Sequence, residues 1–442
     1  MARSEQWIEV CELLIKENSL VFTYTDFAMR NFSVELQYSQ SIMTALSDFP
    51  PKVIHRLINY LAITQSLYFF NYTYYDKIIA YYELDEAEVA FFQQLVFAGM
   101  AEFRYINHLE IYQETVIRGK RTLPRNNSYK SKPLLHGAIV LNGGGKDGAV
   151  AAETLRASGE ALTWLTLNKE GMRGKIIEAS TVTEQMTIGR IFVRPPADNL
   201  MEGHKPLSAE LGFHAALAAI VNKKRYAVVG NEYSANDPNL IYDNFVINHQ
   251  YTKSYQFEKD LSDLLDRLDL GIHYFSVLRP LYELQILKIF EDFPQYHQFF
   301  ISCNRGVRKG YWCLACDKCA FLVLALSAIS PAMVEKIWGD RLLIANRQLR
   351  TQIISLVSPD GPKPFDCVGT LAECQLALGM VSQDTTLWQS LPADFREAMQ
   401  PYIPHDIREL EKQIMGSYDR EEHIPDALRE NVFSFFSKHL GV

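Results

Sequence analysis

From Leu134 to Phe290 the chain switches repeatedly between two hydrophobic periods, and this limits its possible folds more than any other feature. LLHGAIVLN (134–142), ALTWLTLN (161–168), GRIFVR (189–194), RYAVVGNE (225–232) and IHYFSVL (272–278) are apolar runs of strand length. Between them Asp147–Ala157, Leu207–Asn222, Phe257–Leu268 and Leu281–Phe290 read as helices, the last followed by HQFFISC (297–303). Strands that alternate with helices pair in parallel, with helices covering both faces of the sheet. The expected class is α/β, and in such sheets ligands sit beyond the carboxyl ends of the strands.

With 442 residues the chain exceeds the ~250–300 at which one core usually stops growing, so several units are expected. Residues 1–125 read as a smaller mixed α+β N-terminal domain, 126–330 as the α/β domain and 331–442 as a mainly helical C-terminal region. In the first, Ser19–Ser39 alternates apolar and polar residues as short antiparallel strands do, and Pro51–Tyr82 and Glu86–Met100 read as helices, the second capped by Asp85. The aromatic-rich stretch between Tyr60 and Tyr105 reads as a filled core. RGKRTLPRNNSYKSKP (118–133) is basic, polar and proline-punctuated, which suits a linker. In the C-terminal region, Phe395–Met415 and Ile424–Leu440 are charged amphipathic segments.

A net charge of −8 argues against general nucleic-acid binding, while leaving room for an anionic substrate in a local basic pocket. The apolar run AFLVLALSAI (320–329) is far short of the ~20 residues that span a bilayer, so no membrane partner is expected. The opening MARSEQWIEVCELL lacks a signal peptide's apolar core, and the expected compartment is the cytoplasm. That compartment is reducing, so clustered cysteines there hold metal more often than they form disulfides.

The end of the first α/β strand carries the most specific chemistry, LNGGGKDGAVAAETLR (141–156). Glycines let backbone N–H groups approach a ligand, and a helix that starts there aims its positive end at the same point. Lys146 adds a mobile charge, and Asp147 either caps the helix or contacts a metal. These parts suit a phosphate chain. The pattern is no Walker A loop, since Asp147 stands where Ser or Thr is required. It resembles the PP-loop, S-G-G-x-D-S, of the N-type ATP pyrophosphatases, with Gly143, Gly144, Gly145, Lys146, Asp147 and Gly148 on the pattern and glycine in place of both serines.

Four of the seven cysteines, Cys303, Cys313, Cys316 and Cys319, fall together as C-x9-C-x2-C-x2-C. Zinc takes four tetrahedral sulfur or nitrogen ligands, and a closed four-thiolate site would be structural. A redox pair or four unligated thiols are the alternatives. Cys11, Cys367 and Cys374 are isolated and read as packing residues. Two polar stretches, NEYSANDPN (231–239) and VINHQYTKSYQFEKDL (246–261), follow the strand YAVVG and suit the binding of ribose, metal or substrate.

GGGKDG, GHKPLSAEL (203–211), GNEYSAND, NHQYTKSYQFE and SCN…WCLACDKCAF occur here in the order in which they resemble the MurL-type proteins, and GMAEFRYINHL (99–109) is also similar. The resemblance implies a PP-loop/HUP-like nucleotide-binding domain and ATP-dependent epimerisation of the terminal L-Glu of UDP-MurNAc-L-Ala-L-Glu to D-Glu. It implies an acyl-adenylate, release of AMP and diphosphate, and a place in peptidoglycan precursor synthesis. ATP and Mg²⁺, with structural Zn²⁺, are the expected cofactors, and a nucleotide-sugar dipeptide the expected small-molecule partner. Gly143–Gly148 would contact phosphate, with Asp147 a Mg²⁺ contact. His249, Lys253, Glu232 and Tyr251 are the acid/base candidates, and Arg190, Arg194, His204 and Lys205 candidates for holding the diphosphate or γ-carboxylate. Another PP-loop ligase, thiolase or nitrile synthase, an epimerase of another C-terminal residue, and a nonenzymatic nucleotide-binding protein are the alternatives.

Overall fold

The computed structural model describes residues 5–124, 134–169, 171–339, 342–418 and 420–441. The strands in the main sheet are β1 (Trp7–Ile15), β2 (Ser19–Asp26), β3 (Asn31–Tyr38), β4 (Lys77–Tyr82), β5 (Val116–Arg121), β6 (Ala138–Leu141), β7 (Leu162–Leu167), β8 (Gln185–Val193), β9 (Tyr226–Val229) and, after a separate hairpin of β10 (Leu240–Tyr242) and β11 (Phe245–Ile247), β12 (His273–Ser276). They pair in the order β12-β9-β6-β7-β8-β3-β2-β1-β4-β5. From β12 to β8 all neighbours are parallel, and β8 turns antiparallel to β3. The α/β class expected from the sequence is therefore present. The boundary expected near residue 125 falls within one continuous sheet.

The helices that position the site are α1 (Pro51–Ser66), α2 (Glu86–Gly99), α3 (Lys146–Ala157), α4 (Leu207–Val221), α5 (Tyr255–Asp266), α6 (Glu283–Glu291), α7 (Asp317–Ile329), α8 (Arg347–Val357), α9 (Leu371–Gln383) and α10 (Asp426–Leu440). Strand side chains alternate between two cores, as a period of two requires. Val140, Trp164, Val228 and Phe275 face α3, α6, α7 and the C-terminal helices. Ile139, Leu165, Ala227 and Tyr274 face α4, α5 and the amino-terminal helices and strands. Because the chain reaches β7 on one side of β6 and β9 on the other, a crevice opens between the carboxyl ends of β6 and β9. No helix among the described residues is long and apolar enough to cross a membrane.

Two sequence expectations need correction, and one strand went unread. The apolar stretch Pro51–Tyr82 is no single helix: α1 ends at Ser66, a 3₁₀ turn covers Leu67–Asn71, and KIIAYY forms β4 against β1. Aromatic and β-branched residues at 77–82 suit a pleated surface, and strand pairing decides the matter there. The linker expected over 118–133 begins inside β5, whose charged residues are exposed at the sheet edge, where charge discourages further pairing. Its remainder from residue 125 lies outside the described residues. Finally β1, which pairs with both β2 and β4, has no counterpart in the sequence reading.

Beneath β8, Glu210 on α4 is 1 % exposed and is held by Arg190, by the Tyr68 hydroxyl at 2.6 Å and by His214 Nε2 at 3.3 Å. Burial disfavours its charge, and His214 and Arg190 outweigh that, bringing the carboxyl down to about 2. A depressed carboxylate stabilises the fold above its unfolded value of 4.5 and loses that contribution as pH falls toward 2. About 3 kcal/mol is expected to disappear over that window, at 1.36 kcal/mol per unit. Urea unfolding of Glu210→Gln against pH checks this, since the variant should lack that acid-side slope. A slope equal to the parent's would show that other groups carry it.

Candidate active site

β6 delivers the chain to Asn142, which builds the loop that follows. Its Oδ1 accepts the Gly144 N–H at 2.9 Å, and its Nδ2 donates to Thr166 Oγ1 at 3.2 Å and the Arg173 carbonyl at 2.8 Å. Gly144 has φ +83°, a region favouring glycine, and its carbonyl accepts the Ile301 N–H at 3.1 Å. Gly145 caps α3 without a side chain, so the first-turn N–H groups keep no side-chain acceptor. An anion placed there would meet these donors and the positive end of the helix.

The two glycines that replace the PP-loop serines differ. A Cβ at Gly143 meets nothing within 4 Å, whereas at Gly148 it would come 2.9 Å from the Leu141 carbonyl oxygen. Gly148 is required because α3 packs directly on the end of β6. Gly148→Ser is expected to cost about 1–3 kcal/mol by forcing the backbone apart. Gly143→Ser should leave the unfolding midpoint unchanged. Equal midpoints for the two variants would contradict this packing argument.

Lys146 departs from the expected mobile charge. Its ammonium is fully buried and ion-paired with both Asp147 and Glu283. Burial opposes its charge, but those carboxylates hold it protonated. Asp147 does line the cleft. The cations that share this lining are Arg173, Lys253 and Lys318, of which Lys318 makes no side-chain hydrogen bond or ion pair with a described residue.

At the end of β9, a Cβ on Gly230 would meet the Asp147 carbonyl at 3.0 Å, so the two strand ends close on each other. Glu232 follows, 1 % exposed, with Oε1 lacking a hydrogen-bond partner among the described residues. Buried Arg279 ties this segment to the next: it donates to the Glu232 carbonyl at 2.7 Å, the Lys253 carbonyl at 2.6 Å and Glu258 Oε2 at 2.8 Å. Glu258 Oε1 in turn accepts the Ser276 N–H of β12 at 2.9 Å. Ser254 caps α5 and fixes the turn that presents Lys253. Burial would lower the Lys253 ammonium, but the Cys367 sulfur and the charges of Glu232, Asp147 and Glu283 raise it instead.

His249 Nδ1 lies 2.9 Å from Asn239 Oδ1, and its Nε2 faces Cys367 Sγ at 3.9 Å. Its ring packs on His204, centroids 5.0 Å apart, and His204 Nδ1 meets Glu102 Oε1 at 3.1 Å. Burial, with positive charge at His204 and Lys253, brings His249 down to about 3, while its bond to Glu102 raises His204. The structure thus brings His249 and Lys253 together at Cys367, with Glu232 behind Lys253. Tyr251 points elsewhere: it lines a second cleft with Gln94, Phe97 and Tyr255, because the 3₁₀ turn Tyr251–Lys253 sends the two side chains apart. Arg190 is committed to Glu210. Arg194 lies over the Phe192 ring at 4.2 Å, and Lys205, brought down to about 7 by burial, lies over Phe103 at 3.7 Å.

Cys367 is the residue whose sequence reading fails most clearly. It read as packing, yet it lines the cleft. It arrives on a C-terminal segment held by Lys363, which donates to the Ser234 carbonyl at 3.3 Å, and by Asp366, which accepts from Asn304 and from the Lys318 N–H. Only contacts across 48 residues or more reveal it, and a lone PFDCVG contains no such signal.

The four clustered cysteines place one Sγ each within 4.8 Å of one another, Cys313 and Cys319 at 3.8 Å. A tetrahedral ion with metal–sulfur bonds of about 2.3 Å needs sulfurs about 3.8 Å apart, so this donor set suits zinc. Cys303 Sγ also accepts N–H groups from Gly306 at 3.2 Å and Cys313 at 3.4 Å, as a thiolate ligand would. The cluster sits at the start of α7 and fixes the turn that carries Lys318 into the cleft.

These parts enclose about 390 Å³ at the β6/β9 crevice, with backbone donors and Asp147 on one wall and Lys253, Lys318 and Cys367 on the other. The arrangement can hold an anion against the helix and present a thiol, backed by an imidazole, and an ammonium to a group beside it.

Comparison with known proteins places this architecture. The model of the MurL N-terminal domain matches residues 7–277, and that of the MurL C-terminal domain residues 299–407. A UDP-N-acetyl-alpha-D-muramoyl-L-alanyl-L-glutamate epimerase of Micromonospora sp. is 28% identical, over 83% of this chain and 85% of that protein. Proteins of the same name from Salinispora tropica and Xanthomonas oryzae pv. oryzae are 28% and 30% identical, covering 83% and 80% of this chain and the same shares of their own lengths. No solved structure gives a significant match. With both family domains present in order across the described cleft, the chain belongs to the MurL family.

Proposed function

We propose that this chain epimerises the terminal L-Glu of UDP-MurNAc-L-Ala-L-Glu to D-Glu, consuming ATP and releasing AMP and diphosphate. The observation that carries the reading is a single cleft that joins an anion-binding helix start to a cluster of proton-handling side chains. A free α-carboxylate resists loss of its Cα proton, because the enolate would be a dianion. Adenylation of that carboxylate cancels one charge and lets the carbonyl oxygen accept the electron pair. In this reading, the N–H groups of Gly145–Gly148 bind the phosphates, and Lys318 supplies the countercharge that Lys146 is too deeply paired to give. Asp147 would hold Mg²⁺ beside them, and the four cysteines would hold a structural Zn²⁺. Lys253 would stand beside the reacting carbon, with His249 behind Cys367, and Arg279 keeps Lys253 in place.

Incubation with the UDP-muramoyl dipeptide, ATP and Mg²⁺ in D₂O tests this. The expected products are AMP and a dipeptide carrying D-Glu with one deuterium, both dependent on ATP. AMP without inversion would point to a ligase or thiolase, and inversion without ATP would remove the adenylation step.

A further inference from the structure

Between Lys253 and His249 stands a thiol to which neither the sequence nor the family comparison gives a role. We infer that Cys367 is the group that takes the α-proton from one face of the substrate's terminal residue, an inference that rests on the adenylating-epimerase reading above.

The surrounding hydrogen bonds define what Cys367 meets. Asn239 Nδ2 donates to the carbonyls of Pro364 at 2.6 Å and Lys363 at 3.2 Å, which fixes the orientation of its amide. Asn239 Oδ1 accepts the His249 backbone N–H at 2.9 Å. The His249 Nδ1 opposite that oxygen must then carry the proton, an assignment made from the network. Nε2 is left as an acceptor 3.9 Å from Cys367 Sγ. From another side the Lys253 ammonium donates to the same sulfur at 3.5 Å. The sulfur therefore has an acceptor for its proton and a positive charge beside it, and it lines the cleft that holds the glycine loop.

The neighbouring groups fit the task less well. Burial and adjacent positive charge keep His249 neutral and weakly basic, while surrounding negative charge keeps Lys253 protonated. Tyr251 faces the other cleft. Asn239, His249 and Lys253 support the thiol instead of replacing it: the asparagine orients the imidazole, the imidazole accepts the thiol's hydrogen bond, and the ammonium stands against the negative charge on the sulfur.

The step balances as follows. The Cα–H bond breaks as the thiolate forms S–H, and the bonding pair moves into an enolate with its charge on the activated carbonyl oxygen. A proton from water adds to the opposite face and restores a C–H bond of inverted configuration. The sulfur's proton then leaves to water in the cleft that Cys367 lines.

The test compares the parent with Cys367→Ser and Cys367→Ala, using the UDP-muramoyl dipeptide, ATP and Mg²⁺ in D₂O. Two rates are read: dipeptide-dependent exchange of radiolabelled pyrophosphate into ATP, and deuterium entry at the terminal α-carbon. The ratio of the second to the first should fall by at least about 100-fold in both variants, as loss of a proton-transferring group does. A ratio equal to the parent's overturns the inference. So does a mass gain on Cys367 in parent protein given dipeptide and ATP, which would make the thiol an acyl acceptor. If the parent shows no dipeptide-dependent pyrophosphate exchange, the adenylation reading fails, independently of any variant.

Discussion

Arg279→Met is expected to lower the stability of the fold by about 3–5 kcal/mol and to abolish turnover. The guanidinium and Glu258 are both fully buried, 2.8 Å apart, so removing one leaves a charge with no water to solvate it. The same side chain holds the backbone carbonyls of Glu232 and Lys253, so the loss also frees the two segments that frame the cleft. Arg279→Lys separates these effects. Its single ammonium can still meet Glu258 but cannot reach three acceptors in different directions, as the planar fork does. The lysine variant should keep more stability than the methionine variant and still lose most of its turnover. Urea unfolding and product formation measured on both variants, with Glu258→Gln to complete a double-mutant cycle, would decide it. If Arg279→Met unfolds within about 1 kcal/mol of the parent, the buried network does not carry the fold as argued.

Arg279 also shows where sequence reading ends. IHYFSVL was legible as a strand because its neighbours alternate and are apolar, but nothing in FSVLRPLYE marks the arginine as the brace between two distant loops. The parallel strands, the crossover helices and the glycine loop were legible because each is encoded locally, by hydrophobic period or by residues that permit a turn. The antiparallel union of β3 with β8 was not, because pairing of residues such as Leu36 and Arg190 is decided by tertiary register. The same holds for Pro51–Tyr82, where one apolar stretch contains a helix, a turn and a strand.

Within the site, the residues found by spacing are those whose chemistry depends on spacing: the loop glycines and the cysteines of WCLACDKC. Those found by neighbourhood were less secure. Lys146 looked like a free charge because Glu283, its buried partner, lies 137 residues away. Cys367 looked idle because its partners, Lys253 and His249, lie 114 and 118 residues away. The C-terminal helices α8 and α9, whose role the sequence left open, flank the segment that brings Cys367 into the lining of the cleft.

Cys316→Ser is expected to remove one equivalent of zinc and unfold the region around α7. Three of the four cysteines are within 3 % of full burial, and they share the core formed by α6, α7 and α9. Without an ion, four thiols crowded within 4.8 Å are poorly satisfied, since each thiol is a weak donor and any thiolate repels the next. Zinc would replace those contacts with four bonds, and in small zinc-binding peptides such binding contributes about 10–16 kcal/mol of folding free energy. A larger core shares the load here, so the loss should be partial: a lower thermal midpoint and exposed apolar surface, with β1–β5 intact. Turnover should fall with it, because the turn that carries Lys318 and the Asn304–Asp366 link both depend on the cluster. Metal analysis of the parent, zinc release on thiol titration, and the variant's thermal midpoint together test this. A parent protein free of zinc, with Cys316→Ser equally stable, would leave the four thiols as packing alone and would place the order of the Lys318 turn in the hydrophobic contacts of α7.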